Sequence, residues 1–133
     1  MSLSQVRATI QRNFQGEAEF EQLEDNLYKF VWIPGIDNKG GSARNQTVWI
    51  ILSSNSLKIA SPFSSSKELN AENALELATK TSFGVQHIFG FYALTHLILL
   101  EDFPENLVLQ FWVNTVAQAA DNLDAAIDGG DDF

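Results

Sequence analysis

Apolar residues in this chain recur with two different periods, one suited to helices and one to strands, and the changes of period divide it into elements. Leu3, Val6, Ile10 and Phe14 fall at helical spacing, which predicts an amphipathic helix from Ser2 to Phe14. Ser2 and Gln5 have the spacing of a capping box, and Gly16 stops the pattern. Glu17 to Asp25 is acidic, with Phe20 and Leu23 as its large apolar residues, and reads as a solvated connection pinned by those two. β-Branched and aromatic residues then dominate Leu27 to Ile33, Thr47 to Leu52 and Leu57 to Phe63, three strands most simply joined as an antiparallel meander. Pro34-Gly35 ends the first of them, and Asp37 to Asn45 is a polar, glycine-bearing loop. The second is apolar almost throughout, as a central strand is.

A serine-rich linker, Ser64 to Ser66, leads to a helix expected over Leu69 to Thr81, with Ala71, Ala74, Leu75 and Ala78 on its packing side. Two further strands are expected at Val85 to Gly90 and Thr95 to Leu100, turning near Phe91-Tyr92-Ala93. A single buried helix competes for this stretch, but Gly84 and Gly90 among β-formers disfavour it.

The longest helix is expected from Glu101 to Asp128. Asp102 and Glu105 form a second capping box, Pro104 lies in the first turn, and Gly129-Gly130 closes the end. Leu109, Trp112, Val113, Val116, Ala120, Leu123 and Ile127 share one face of it, while Gln110, Asn114, Gln118 and Asn122 lie on the polar side. Leu107 and Phe111 break this order by projecting among the amides. Leu107, Val108 and Phe111 are therefore the residues expected at a protein interface. The alternative is that the acidic segment around Phe20 and Leu23 folds over them.

Helix, three strands, helix, two strands, helix: this order predicts an α+β fold, α-β-β-β-α-β-β-α, with a five-stranded antiparallel sheet and packed helices in one domain over residues 1–133. Composition adds limits. At 133 residues and 45% hydrophobic, the chain can build a core without staples. It has no cysteine, no apolar run of membrane-spanning length and no signal-peptide pattern at its start, which fits a cytoplasmic protein. Its net charge of −9, without clustered Lys and Arg, argues against nucleic acid or an anionic membrane as partner.

Candidate chemistry is sparse. A turn centred between Phe91 and Tyr92 would set His87 opposite His96, the beginning of a metal site, but no third ligand accompanies them, so no metal and no cofactor are expected. The loop Asn38-Lys39-Gly40-Gly41-Ser42 lacks phosphate-loop spacing and joins two strands, so it reads as a hairpin loop. No Gly-x-Ser-x-Gly elbow occurs. Glu17, Glu19, Glu21, Glu24 and Asp25 form a solvated charge run, and Asp121, Asp124 and Asp128 are expected on the exposed side of the last helix. None resembles an acid–base pair in an apolar cleft, and no residue is assigned a catalytic role.

The element order, together with the ending Leu97-Ile-Leu-Leu-Glu-Asp-Phe-Pro-Glu105 running into Val113 to Leu123, resembles the YbjN-like proteins and the class I type III secretion chaperones. Ala120-Asp121-Asn122-Leu123 carries the Ala-Asp-x-Leu step of the YbjN-like helix, and the small size and acidic pI are similar to those of the secretion chaperones. The resemblance covers nearly the whole chain. It implies a type III secretion chaperone-like fold and a homodimer that binds protein segments or regulates a partner, and it brings no catalytic residue.

The leading expectation is thus a non-enzymatic, cytosolic protein-interaction module, chaperone-like or regulatory, with a protein or peptide partner. An alternative is a small-molecule-binding or enzymatic domain using the sheet, with Tyr28, Trp32 and Trp49 as lining. A structural subunit of a larger assembly is a third.

Overall fold

Pairing runs through six strands in the computed structural model, which describes residues 2–16, 18–32, 46–65, 67, 69–102 and 106–128. In chain order the elements are α1 (Leu3–Phe14), β1 (Ala18–Glu24), β2 (Leu27–Trp32), β3 (Gln46–Leu52), β4 (Ser56–Ser65), α2 (Ala71–Ala78), β5 (Gly84–Ile88), β6 (Phe91–Leu99), a 3-10 turn (Leu100–Asp102) and α3 (Asn106–Asp128). The strands lie in the order β1-β2-β3-β4-β6-β5, each antiparallel to its neighbours. The fold is α+β with an antiparallel sheet, as expected, but the sheet has six strands and not five.

The additional strand is β1, inside the segment expected to be a solvated connection. Its glutamates do not prevent pairing, because β1 is an edge strand and charge on an edge deters a further strand from adding. Two bulges, between Ala18 and Glu21 and between Gln22 and Glu24, irregularise it, with Glu19 at φ 54° in the first. Phe20 stacks on Tyr28, ring centroids 5.9 Å apart, and pins the strand. Leu23 does not, being exposed.

Alternation along the strands separates two faces. Tyr28, Phe30, Val48, Ile50, Leu57, Ile59, Leu94 and Ile98 point to the main core, where Val6, Ile10 and Phe14 of α1 and Leu109, Val113, Val116, Ala117 and Ala120 of α3 cover them. The opposite face carries a smaller cluster of Trp49, Ala60, Ile88 and Ala93, flanked by Leu27, Ile51 and Phe91. The first capping box forms as expected, with the Gln5 N–H donating to Ser2 Oγ at 3.2 Å and the Ser2 N–H to Gln5 Oε1 at 2.9 Å.

Other boundaries move. β4 runs on through Ser64 and Ser65, beyond a bulge between Pro62 and Ser64, where a linker was expected. α2 is shorter than expected and capped by Asn70, whose side chain accepts from the Asn73 N–H. It buries Ala74 and Ala78, while Ala71 and Leu75, expected to pack, are exposed. Asp102 belongs to the 3-10 turn, and α3 starts at Asn106 instead of Glu101. Residues 103–105, the 37–45 loop with its Asn38 to Ser42 segment, and the 129–133 tail lie outside the described residues.

The β5–β6 hairpin turns at Phe89-Gly90, earlier than expected, with φ 52° and 83°. Consecutive positive φ values are those of a two-residue type I′ hairpin turn, where Asn-Gly is usual. The left-handed conformation disfavours Phe89 by roughly 1–2 kcal/mol. Its ring packs edge-on against Trp49 at 5.2 Å, which offsets that cost.

Candidate interaction surface

The outward side of α3 carries an unusual combination of residues. From Asn106 to Ala120 the helix has no charged residue, in a chain of net charge −9. Leu109, Val113, Val116, Ala117, Ala120 and Leu123 are buried against the sheet, as their spacing requires. That orientation turns Phe111, Asn114, Gln118 and Asn122 outward. Phe111 is 58% exposed. The acidic segment does not cover it, since Phe20 is stacked on Tyr28 instead. The side chains of Leu107 and Val108, expected beside Phe111, lie outside the described residues.

Beneath Phe111 runs an open groove of about 540 Å³, lined by Trp32, Asn114, Thr115, Gln118, Ala119 and Asn122. Trp32 Nε1 donates to Asn114 Oδ1 at 2.8 Å, which locks one wall. Gln118 Nε2 donates to Asn122 Oδ1 at 3.0 Å along the helix. The floor is thus a neutral ladder of amides beside an exposed aromatic ring.

The aromatic lining considered for a ligand pocket does not converge. Tyr28 is 1% exposed in the main core, Trp32 borders α3, and Trp49 lies on the opposite sheet face. Strand parity decides this, since Trp49 pairs directly with Lys29 and not with an even-numbered residue of β2. Burial pushes the Tyr28 phenol above its ordinary pKa, with Arg7 opposing and Asp25 adding to the rise. A second cleft of about 510 Å³ opens between Ser2, Asn55, Leu99 and Glu101, with the N-cap of α1 on its border.

The histidines also part. The earlier hairpin turn pairs His87 with Tyr92, and His96 pairs with Ile59 of β4. Among the described residues no three His, Cys, Asp or Glu side chains are grouped to hold a metal. His96 stacks on Trp112 of α3, centroids 4.0 Å apart and planes 22° from parallel, with Phe83 edge-on to both rings.

Burial lowers the His96 pKa from its ordinary 6.5. The fold favours the neutral ring, so the stability contributed by His96 is fully present above the unfolded pKa of 6.5 and is lost as pH falls through that value toward the lower folded one. Urea unfolding should show this as lower stability at about pH 5.5 than at about pH 7.5, with the difference reduced in His96→Phe. The indole face acts in the opposite sense, favouring an imidazolium. An NMR titration midpoint for His96 at or above 6.5 would show that the stack outweighs burial.

Two acidic residues lie where the spacing argument did not put them. Asp121 and Asp124 are buried, not exposed. Gln46, just before the second expected strand, is fully buried and donates through Nε2 to Ser61 Oγ at 2.9 Å, a polar tie between β3 and β4. Alternation would have found it, since Gln46 is in phase with Val48 and Ile50. The far sheet face adds exposed Leu97, Leu99 and Phe89. No helix among the described residues is long and apolar enough to cross a membrane. A scan of the chain against protein-family models finds no match, and a search of curated proteins finds none either.

Proposed function

We propose that the chain is a non-enzymatic protein-interaction module of the cytoplasm, chaperone-like or regulatory, which acts as a homodimer and binds a protein or peptide partner. One observation carries the reading: Phe111 stands 58% exposed on the charge-free side of the longest helix. Burying such a side chain contributes roughly 1.5–3 kcal/mol, so a few of them suffice to favour association about a two-fold axis. Leu107 and Val108 belong to the same proposed interface. The far sheet face, with Leu97 and Leu99 exposed, offers apolar surface for a partner segment. The Ala120-Asp121-Asn122-Leu123 step of the C-terminal helix resembles that of YbjN-like proteins and favours the same kind of activity, while the observed element order carries one strand more than the order on which the resemblance was drawn.

Light scattering at micromolar concentration should give the mass of a dimer. Phe111→Glu should give a folded monomer, because a carboxylate cannot be buried unpaired at the contact. A wild-type monomer, or a variant that stays dimeric, removes Phe111 from any interface between copies.

A further inference from the structure

Building on the homodimer, we infer that two copies join α3 to α3 in antiparallel orientation, about a two-fold axis beside Thr115, so that Phe111 of each copy packs over Ala119 of the other. Charge selects the face on which a second copy can dock. Two molecules of net charge −9 repel, and contact is least costly where neither presents a carboxylate. The Asn106–Ala120 run meets that condition along the helix. Its polar groups suit a second copy too, since an amide both donates and accepts and so complements itself across a two-fold axis. Asn114 Oδ1 already accepts from Trp32, which leaves its NH₂ to donate outward.

Shape places the axis. Phe111 and Ala119 lie equally far on either side of Thr115 and border the same groove of about 540 Å³. A two-fold axis at Thr115 exchanges them, setting the large ring of one copy over the small methyl of the other. Direction follows from the helix ends. Parallel helices would bring both Asp128 residues and both negative helix termini together, whereas antiparallel helices place them roughly 39 Å apart at ~1.5 Å rise per residue and oppose the dipoles favourably.

The chain has no cysteine, so single-cysteine variants report one position each. Mild oxidation of Thr115→Cys should yield a covalent dimer. Asn122→Cys should not, because its two copies would be about 21 Å apart along the axes, far beyond the ~7 Å between Cα atoms that a disulfide spans. Nitroxides at the same two sites read the separation without disulfide geometry, with about 10 Å expected between helix axes at position 115 and more than twice that at 122. Equal cross-linking at both positions would mean parallel helices and overturn the arrangement. A dimer by light scattering that shows neither cross-link nor short distance at 115 overturns this pairing while leaving the homodimer standing. A wild-type monomer overturns both.

Discussion

Phe30→Ala is expected to cost about 3–5 kcal/mol of folding stability, a large share of the total for a domain of this size. Phe30 is almost fully buried and meets three elements at once. It lies on β2, stacks on Phe14 of α1 with centroids 5.1 Å apart, and meets Phe20 of β1 at 6.3 Å. Removing the ring leaves a cavity whose walls belong to separate elements. Closing it would require α1 and the β1 edge to move together, so the cavity term adds to the lost transfer free energy. Urea unfolding followed by circular dichroism measures the difference. It should be done in the Phe111→Glu background, because dimerisation would make the midpoint depend on protein concentration. A loss below about 1 kcal/mol with an unchanged slope would mean that the cluster collapses freely onto the gap.

Ala117→Leu should destabilise the fold by about 1–3 kcal/mol for the opposite reason. Ala117 and Ala120 have no exposed surface and lie where α3 crosses the sheet, chiefly over β4. Small side chains there let helix and strand backbones approach. An isobutyl group in place of a methyl must lift the helix or force an unfavourable rotamer, and a lifted helix also strains the Trp112–His96 stack. Thermal unfolding should show a lower midpoint with helical signal retained below it, and Trp112 fluorescence should change. Unchanged or increased stability would show spare volume beneath α3.

Much of the architecture was legible because it rests on local periodicity. The inward residues of α1, the capping box at Ser2, the central place of β3 and the inward stripe of α3 from Leu109 to Leu123 all follow from residues within a turn or two of each other. The exposure of Phe111 was legible for the same reason, since a helix of 3.6 residues per turn cannot bury it together with Leu109 and Val113. Which surface covers Phe111 was not.

Nonlocal pairing decided the rest. Ala18 to Glu24 becomes a strand because β2 offers an unpaired edge beside it, and its acidic composition cannot reveal that edge. The hairpin turns at Phe89-Gly90 because the long register of β6 on β4 and the Trp49 contact hold the ring in a conformation that local propensity opposes. That shift separates His87 from His96, and strand parity separates Trp49 from Tyr28 and Trp32. Asp121 and Asp124 are inside because the buried arc of α3 is wider near its C-terminal end than its apolar stripe. By itself, then, the sequence determined the three helices, five of the six strands and which way most of their residues face, through backbone geometry that repeats every few residues. Only the tertiary structure decided which side chains from distant elements meet, because register, turn position and the width of a buried arc depend on surfaces brought together from across the chain.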